Sequence, residues 1–379
     1  MPSPRNAKEL GQALAESKRH KGQLDLLAQH PTLHKKAGKV ASIADELARQ
    51  EESRERTDAL VFARQIALAA LPRRPTDEKS LSRDLRLGKQ LWVRVTYYTQ
   101  PDGDLPYGQD RFVLAAAQHL ALQRNSPIVT FQRVGDLLRM YGIAEGGGAI
   151  GLLRERFQRL SELAVSLTFG SSEAELEEKN ATERMLVFRR HLLPSRADLE
   201  AVANGQLELP TLPTKEGERP IYGIELSADF WEHLQDQKEH LIVPIELLKL
   251  FIDAPLGWDY LCFLIARCGR AQSSTVVDHE VLMELFGETH KSERTKAEQL
   301  ASERNTIRRL QRHHRLIMTA TRGNLKASLE PIGHFPKEEG QRGRRRIRWG
   351  LKIHPSKRIV FSGKKELAIE AGDLSDSLG

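Results

Sequence analysis

Apolar residues recur along this chain at two spacings, helical and alternating, and glycines and prolines punctuate them. Ser42–Leu71 has helical spacing and many helix formers, and Pro72-Arg-Arg-Pro75 ends it. Leu91–Tyr98 has strand character. Asp110–Leu122 predicts an amphipathic helix with Phe112, Val113, Ala116 and Leu120 on one face. A short strand at Ile128–Phe131 follows, then a helix over Gln132–Tyr141 closed by Gly142. After Gly146-Gly-Gly148 a helix is predicted from Ala149 to Leu163. Val165–Phe169 and Met185–Arg190 are then expected to pair as a hairpin.

Pro210, Pro213 and Pro220, with Lys215-Glu-Gly-Glu218, mark a linker or long loop. Beyond it the pattern predicts a strand at Ile221–Leu226. Ser227 is a candidate N-cap, and Pro244 and Pro255 are candidate first helical residues. Leu256–Cys268 is a strongly apolar helix, and Asp278–Phe286 is a shorter one capped by Gly287. A long helix is expected over Ser292–His313. Leu316–Thr321 and Leu325–Pro331 predict a hairpin around Arg322-Gly-Asn324, and Arg344–Ile353 and Arg358–Phe361 predict further strand.

These elements give an arm and two domains. Residues 1–84 form a charged, partly helical arm, and 85–210 and 211–365 are the two domains. Residues 366–379 form an acidic tail. Each domain repeats one order: strand, helix, short strand, short helix ended by Gly, loop, longer helix, hairpin. The expected fold is α+β and mostly helical, with two tandem winged-helix domains carrying β-hairpin wings.

Charge sharpens this picture. Lys and Arg number 58 against 51 Asp and Glu, a net of +7. Gly287–Arg358 holds 19 basic and 7 acidic residues, so the remainder, with 39 basic and 44 acidic, is slightly negative. Gln341–Lys365 has ten basic residues and no acid, interleaved with Ile347, Trp349, Leu351, Ile353, Ile359 and Phe361. That alternation predicts a basic β-ribbon. A localised basic surface is the electrostatic footprint of a nucleic-acid binder.

Two helices are candidates for reading DNA. Over Ser292–His313, Ala297, Leu300, Ile307 and Leu310 form an apolar stripe. Arg304, Arg308, Arg312 and Arg315 form a second stripe, flanked by Asn305 and Arg309. Arginine pairs bidentately with guanine, and asparagine with adenine. A surface or coiled-coil helix would show the same spacing. In the earlier helix, Ile150, Leu153, Phe157 and Leu160 face the core. Arg154, Arg156 and Arg159 are expected to face out, diluted by Glu155 and Glu162.

Several chemistries are disfavoured. Gly146–Gly151 fits G-x-G-x-x-G, but a predicted helix precedes it where the dinucleotide fingerprint needs a strand. No G-x-x-x-x-G-K-[ST] occurs, and an ATPase is not expected. Tyr97-Tyr98 offers a nucleophile for DNA nicking, but no His-x-His accompanies it, and core or wing tyrosines are the simpler reading. Cys262 and Cys268 read as two buried thiols. No run of 18 apolar residues predicts a membrane helix, and Met1-Pro-Ser-Pro-Arg-Asn6 lacks an apolar signal region. The expectation is a soluble cytoplasmic protein with no catalytic residues, metal or cofactor.

The block from Pro106-Tyr-Gly-Gln-Asp-Arg111 to Leu163 resembles the RepA-type plasmid replication initiators. So do Ile224-Glu-Leu-Ser-Ala-Asp-Phe-Trp231, Pro244-Ile-Glu-Leu-Leu248, Trp258-Asp-Tyr-Leu261 and the helix after Phe286. The resemblance covers about residues 90–320 and departs at Gly146–Gly151, where the family has a basic residue soon after the glycines. It implies a non-enzymatic initiator that binds direct repeats of origin duplex DNA, helps open the adjacent A·T-rich DNA and recruits the host's initiator and replicative helicase. Repression of its own gene as a homodimer, and through it copy-number control, is also implied. On this chain Arg154, Arg156 and Arg159 would serve the first reading helix, and Arg304, Arg308, Arg309 and Arg312 the second. Arg344, Arg345, Arg346 and Arg348 would hold phosphates or a minor groove near a wing. A winged-helix transcription regulator needs the same contacts, and a nicking or priming enzyme is the further alternative.

Overall fold

The computed structural model describes residues 20–25, 34–53, 58–86, 91–131, 147–179, 184–192, 222–236, 240–287, 295–336 and 345–356. In chain order its elements are α1 (His34–Ser53), β1 (Ala59–Ala63), α2 (Arg64–Ala69), β2 (Ser80–Arg86), β3 (Trp92–Tyr98), α3 (Asp110–Arg124) and β4 (Ile128–Phe131). Then come α4 (Gly147–Ser161), β5 (Ala164–Gly170), α5 (Glu173–Glu178), β6 (Met185–Leu186), β7 (Phe188–Leu192), β8 (Tyr222–Leu226), α6 (Ala228–Gln235) and β9 (His240–Pro244). The last are α7 (Ile245–Lys249), α8 (Pro255–Cys268), β10 (Thr275–Val277), α9 (His279–Phe286), α10 (Lys296–Ala320), β11 (Ala327–His334) and β12 (Ile347–Ile353). The fold is α+β. Among the described residues no helix is long and apolar enough to cross a membrane.

The chain divides into two compact units. One comprises Leu60–Ile242 with Ile252–Pro255, here the α4 unit. The other comprises Met1–Ala59, Val243–Phe251 and Leu256–Gly379, the α10 unit.

Two antiparallel sheets build the α4 unit, ordered β2-β3-β5-β6 and β4-β8-β7. In β3, Val93, Val95 and Tyr97 alternate as fully buried side chains, and Thr96 between them is buried too. Leu81 pairs with Tyr97 on one side of β3, and Leu167 with Val95 on the other. Tyr97 donates its hydroxyl to the Ile66 carbonyl at 2.8 Å, a core tyrosine with no access to a substrate. The Arg111 guanidinium is buried but satisfied, donating to the carbonyls of Gly108 (2.7 Å), Leu71 (2.7 Å) and Pro72 (3.0 Å).

The expected hairpin of Val165–Phe169 with Met185–Arg190 forms only at its start. All of β5 pairs with β3 along one edge, and on its other edge Ala164 and Val165 pair with Leu186 and Met185 of β6. From Phe188 onward the chain pairs with β8. The strand expected to open the second domain, β8, lies between β4 and β7, so its backbone hydrogen bonds place it in the α4 unit. A boundary at residue 211 would separate it from both neighbours.

In the α10 unit, α8 buries nearly every side chain, including Cys262 and Cys268, neither of them in a disulfide. The sheet β10-β12-β11 is antiparallel, with Val277 and Leu329 both opposite Leu351. Within the expected arm, the described residues contribute buried side chains. Helix α1 buries Val40, Ile43 and Ala44 and packs on α10. Lys36 and Lys39 each donate from Nζ at 2.8 Å to the carbonyls of Leu250 and Lys249, at the carboxyl end of α7. The single helix expected over Ser42–Leu71 is broken. Its second half is strand β1 and short helix α2, because the Ala63 N–H finds the Gln118 side chain (2.9 Å) and Val61 finds His119 (3.2 Å). Tertiary pairing overrides helix propensity there.

Leu316–Thr321, expected as strand, continues α10 to Ala320. Ile307, Leu310, Ile317 and Ala320 stay on one buried stripe. The hairpin is instead β11 with β12, with a register shift between Pro331 and Gly333. The predicted helix over Gln132–Tyr141, Gly142, Gly146, the prolines of the linker, Ser292, Arg344, the strand at Arg358–Phe361 and the acidic tail lie outside the described residues.

Candidate nucleic-acid interface

Helix α10 begins with a capping box. The Thr295 hydroxyl accepts from the Glu298 N–H, while the Glu298 carboxylate accepts from the Thr295 N–H at 2.8 Å. This fixes the start of a 25-residue helix. One side is anchored by Ile307, Leu310, Leu316 and Ile317, all buried. On the other side Arg304, Asn305, Arg308, Arg312 and Arg315 are exposed, and Arg309 is half-buried. At 3.6 residues per turn the arginines at 304, 308, 312 and 315 fall within an arc of about 80° and span about 16 Å. None of the four has an ion-pair or hydrogen-bond partner among the described residues. Exposed Ala301 lies on the same arc.

The two histidines beside this stripe point inward. His313 packs edge-on against Phe251, with ring centroids 5.4 Å apart. His314 Nδ1 lies 2.9 Å from the Tyr260 hydroxyl. Burial pushes the His314 pKa down to about 4, against a backbone hydrogen bond at Ala327 that works the other way. The ring is therefore neutral at neutral pH and hydrogen-bonded to the Tyr260 hydroxyl.

The hairpin after α10 carries the second group of predicted residues. Arg345 is exposed. Arg346 and Arg348 are held. Arg346 Nη2 is 3.6 Å from Glu303 Oε2, and its guanidinium lies over the Phe335 ring at 3.8 Å. Arg348 Nη2 donates to Glu280 at 2.8 Å, and its guanidinium is 5.7 Å from the same ring. The hydrogen bond to Glu280 holds the Arg348 pKa above its ordinary value. Behind them His279 is buried, its Nδ1 accepting from the Trp349 N–H at 3.2 Å. Burial holds its pKa below the usual histidine value, the Glu303 carboxylate opposing this.

Helix α4 differs from expectation. Arg156 and Arg159 do not face out. Arg159 makes two hydrogen bonds to Asp110, at 2.8 and 2.9 Å, and lies over the Tyr107 ring at 4.5 Å. Arg156 donates to Gln109 and sits 3.9 Å from Asp110. Asp110 is fully buried at the first turn of α3, and a carboxylate there must be neutralised by nearby cations. The exposed side chains of α4 are Leu152, Glu155 and Gln158. The Arg154 side chain lies outside the described residues. Asp110 was the missed residue. An Asp in a first helical turn reads as an ordinary dipole partner, and only the fold shows which arginines reach it.

Among the described residues no group of three His, Cys, Asp or Glu side chains is placed to hold a metal ion. No family model matches the chain. No curated protein matches it. Among solved structures it is similar to the crystal structure of RctB domains 2-3, RctB-155-483, at 15% identity and a TM-score of 0.45, covering 77% of this chain and 97% of that one. It is similar too to the selenomethionine derivatives of domain 2 and domain 3 of RctB, at 14% identity and a TM-score of 0.44, covering 76% and 96%.

Proposed function

We propose that this chain is a replication initiator of the RepA type, which binds direct repeats of a plasmid origin as duplex DNA. On this reading it acts by binding and not by catalysis. It promotes opening of the origin, recruits the host's initiator and replicative helicase, and represses its own gene, working in the cytoplasm. The observation that carries the proposal is the arginine arc of α10, solvent-facing and without ion-pair or hydrogen-bond partners among the described residues. The order α8, β10, α9, α10, β11, β12, with the sheet arranged β10-β12-β11, is that expected of a winged helix, in which α10 would enter the major groove. In the α4 unit α3, β4, α4, β7 and β8 follow a similar order, with the sheet arranged β4-β8-β7, which supports a tandem pair.

Fluorescence anisotropy with tiled duplexes from the DNA flanking its gene, against random duplex at two salt concentrations, tests the reading. Tight binding confined to tiles with direct repeats is expected, as is loss of plasmid maintenance on deletion. Equal, steeply salt-dependent binding to every tile contradicts it. Confined binding without any effect on plasmid maintenance points to a transcription regulator.

A further inference from the structure

The arginines of the α10 arc and of the hairpin fall into two states. Those of the α10 arc and Arg345 face solvent, whereas Arg346 and Arg348 are each paired with a carboxylate and share one aromatic ring, that of Phe335. The carboxylates come from two different helices, Glu280 from α9 and Glu303 from α10. The Nε atoms of both arginines are buried and have no hydrogen-bond partner among the described residues, and each guanidinium meets its carboxylate through Nη2. The Phe335 N–H donates to the Arg346 carbonyl at 2.8 Å, fixing the ring beside the hairpin. His279 fills the remaining side, its ring 5.1 Å from Phe335 and its Nε2 3.7 Å from Glu303.

We infer that Glu280 and Glu303 are specificity-setting positioning residues: they occupy on Arg348 and Arg346 the place a DNA phosphate would take, and so withhold two cations from non-specific duplex. The inference rests on the proposed duplex contact of the α10 unit. A guanidinium pairs with carboxylate and phosphate in the same forked geometry. Non-specific affinity is set by the number of phosphates neutralised. Two arginines committed internally lower that number without touching the α10 arc. The exposed face of α10 then supplies a larger share of the total affinity, and the contrast between a matched site and random DNA widens.

Binding of random duplex by the full chain, measured across a salt series, tests this. Glu303→Gln and Glu280→Gln should each tighten binding. Each should also steepen the dependence of log K on log salt by about 0.9, one additional phosphate. Glu303→Asp keeps the charge but withdraws the carboxylate by one methylene, and should show a gain of the same sign. In Arg346→Ala and Arg348→Ala backgrounds the corresponding gains should vanish. Gains that persist there mean that a repelling acid was removed and nothing was released, and overturn the inference, as does no gain in any variant. Because only random duplex is used, absence of a preferred tile defeats the initiator reading and leaves this result standing. A chain that binds no duplex at any salt overturns both.

Discussion

Helices α4 and α10 carry similar sequence patterns, an apolar stripe beside arginines spaced along a helix, yet they use their arginines in opposite ways. In α10 the arc from Arg304 to Arg315 faces solvent, and its helix is seated by Ile307, Leu310 and Ile317. In α4 two of three arginines turn back onto Asp110, and Leu152, Glu155 and Gln158 take the solvent side. What decides the matter is a single carboxylate on another helix. Buried Asp110 requires neutralising cations, and α4 supplies them. No such carboxylate faces the α10 arc among the described residues. The acid nearest in sequence, Glu303, is directed to Arg346 and His279. Spacing along a helix therefore shows which arginines are available, and the counter-charges from other elements decide where they point.

The largest effect that would break this comparison is structural. Arg159→Ala leaves Asp110 buried beside a more distant Arg156. It should cost the α4 unit about 3–5 kcal/mol, read from the shift in denaturation midpoint, while Arg304→Ala should cost almost nothing. Equal small losses would mean that Asp110 is not the reason for the turn of α4.

Next is acid sensitivity of the α10 unit. The folded pKa of His314, about 4, lies below the ordinary histidine value of 6.5, so the unfolded chain binds the extra proton between these limits. Stability contributed by the neutral ring is present above pH 6.5 and is lost as the pH falls toward 4. The full span is worth about 3 kcal/mol. His314→Gln should flatten the fall of unfolding free energy across that window, and an unchanged slope would refute the assignment.

Base reading comes third. Arg308→Ala and Arg312→Ala should each weaken binding to the matched duplex by about 1–3 kcal/mol, with a smaller effect on random duplex. Equal loss on both would reduce the arc to phosphate contacts. Smallest is the helix start. Thr295→Ala removes the capping hydroxyl of α10 and should cost about 1 kcal/mol of stability, measured by thermal unfolding.

Much of the chain was legible where local chemistry decides. Ile128–Phe131, the Ser227 cap and the helix beginning at Pro255 stand where the sequence puts them. So does the buried state of Cys262 and Cys268. Helical periodicity puts Arg304, Arg308, Arg312 and Arg315 on one face, and that face is exposed. What was not legible depends on partners distant in sequence. The strand at Ala59–Ala63 is helix-like in composition and is set by Gln118 and His119. The β3–β5 pairing bridges some seventy residues of chain. The inward turn of Arg156 and Arg159 depends on Asp110, and the holding of Arg346 and Arg348 depends on Glu303 and Glu280. No spacing rule within one element contains those contacts.

The most direct test of the asymmetry places a photo-cross-linking residue at Ala301, on the α10 arc, or at Glu155, on the exposed face of α4, and irradiates each full-length chain with the tile it binds best. The account predicts efficient cross-linking to duplex from position 301 and little from position 155. Efficient cross-linking from 155 with none from 301 would contradict it.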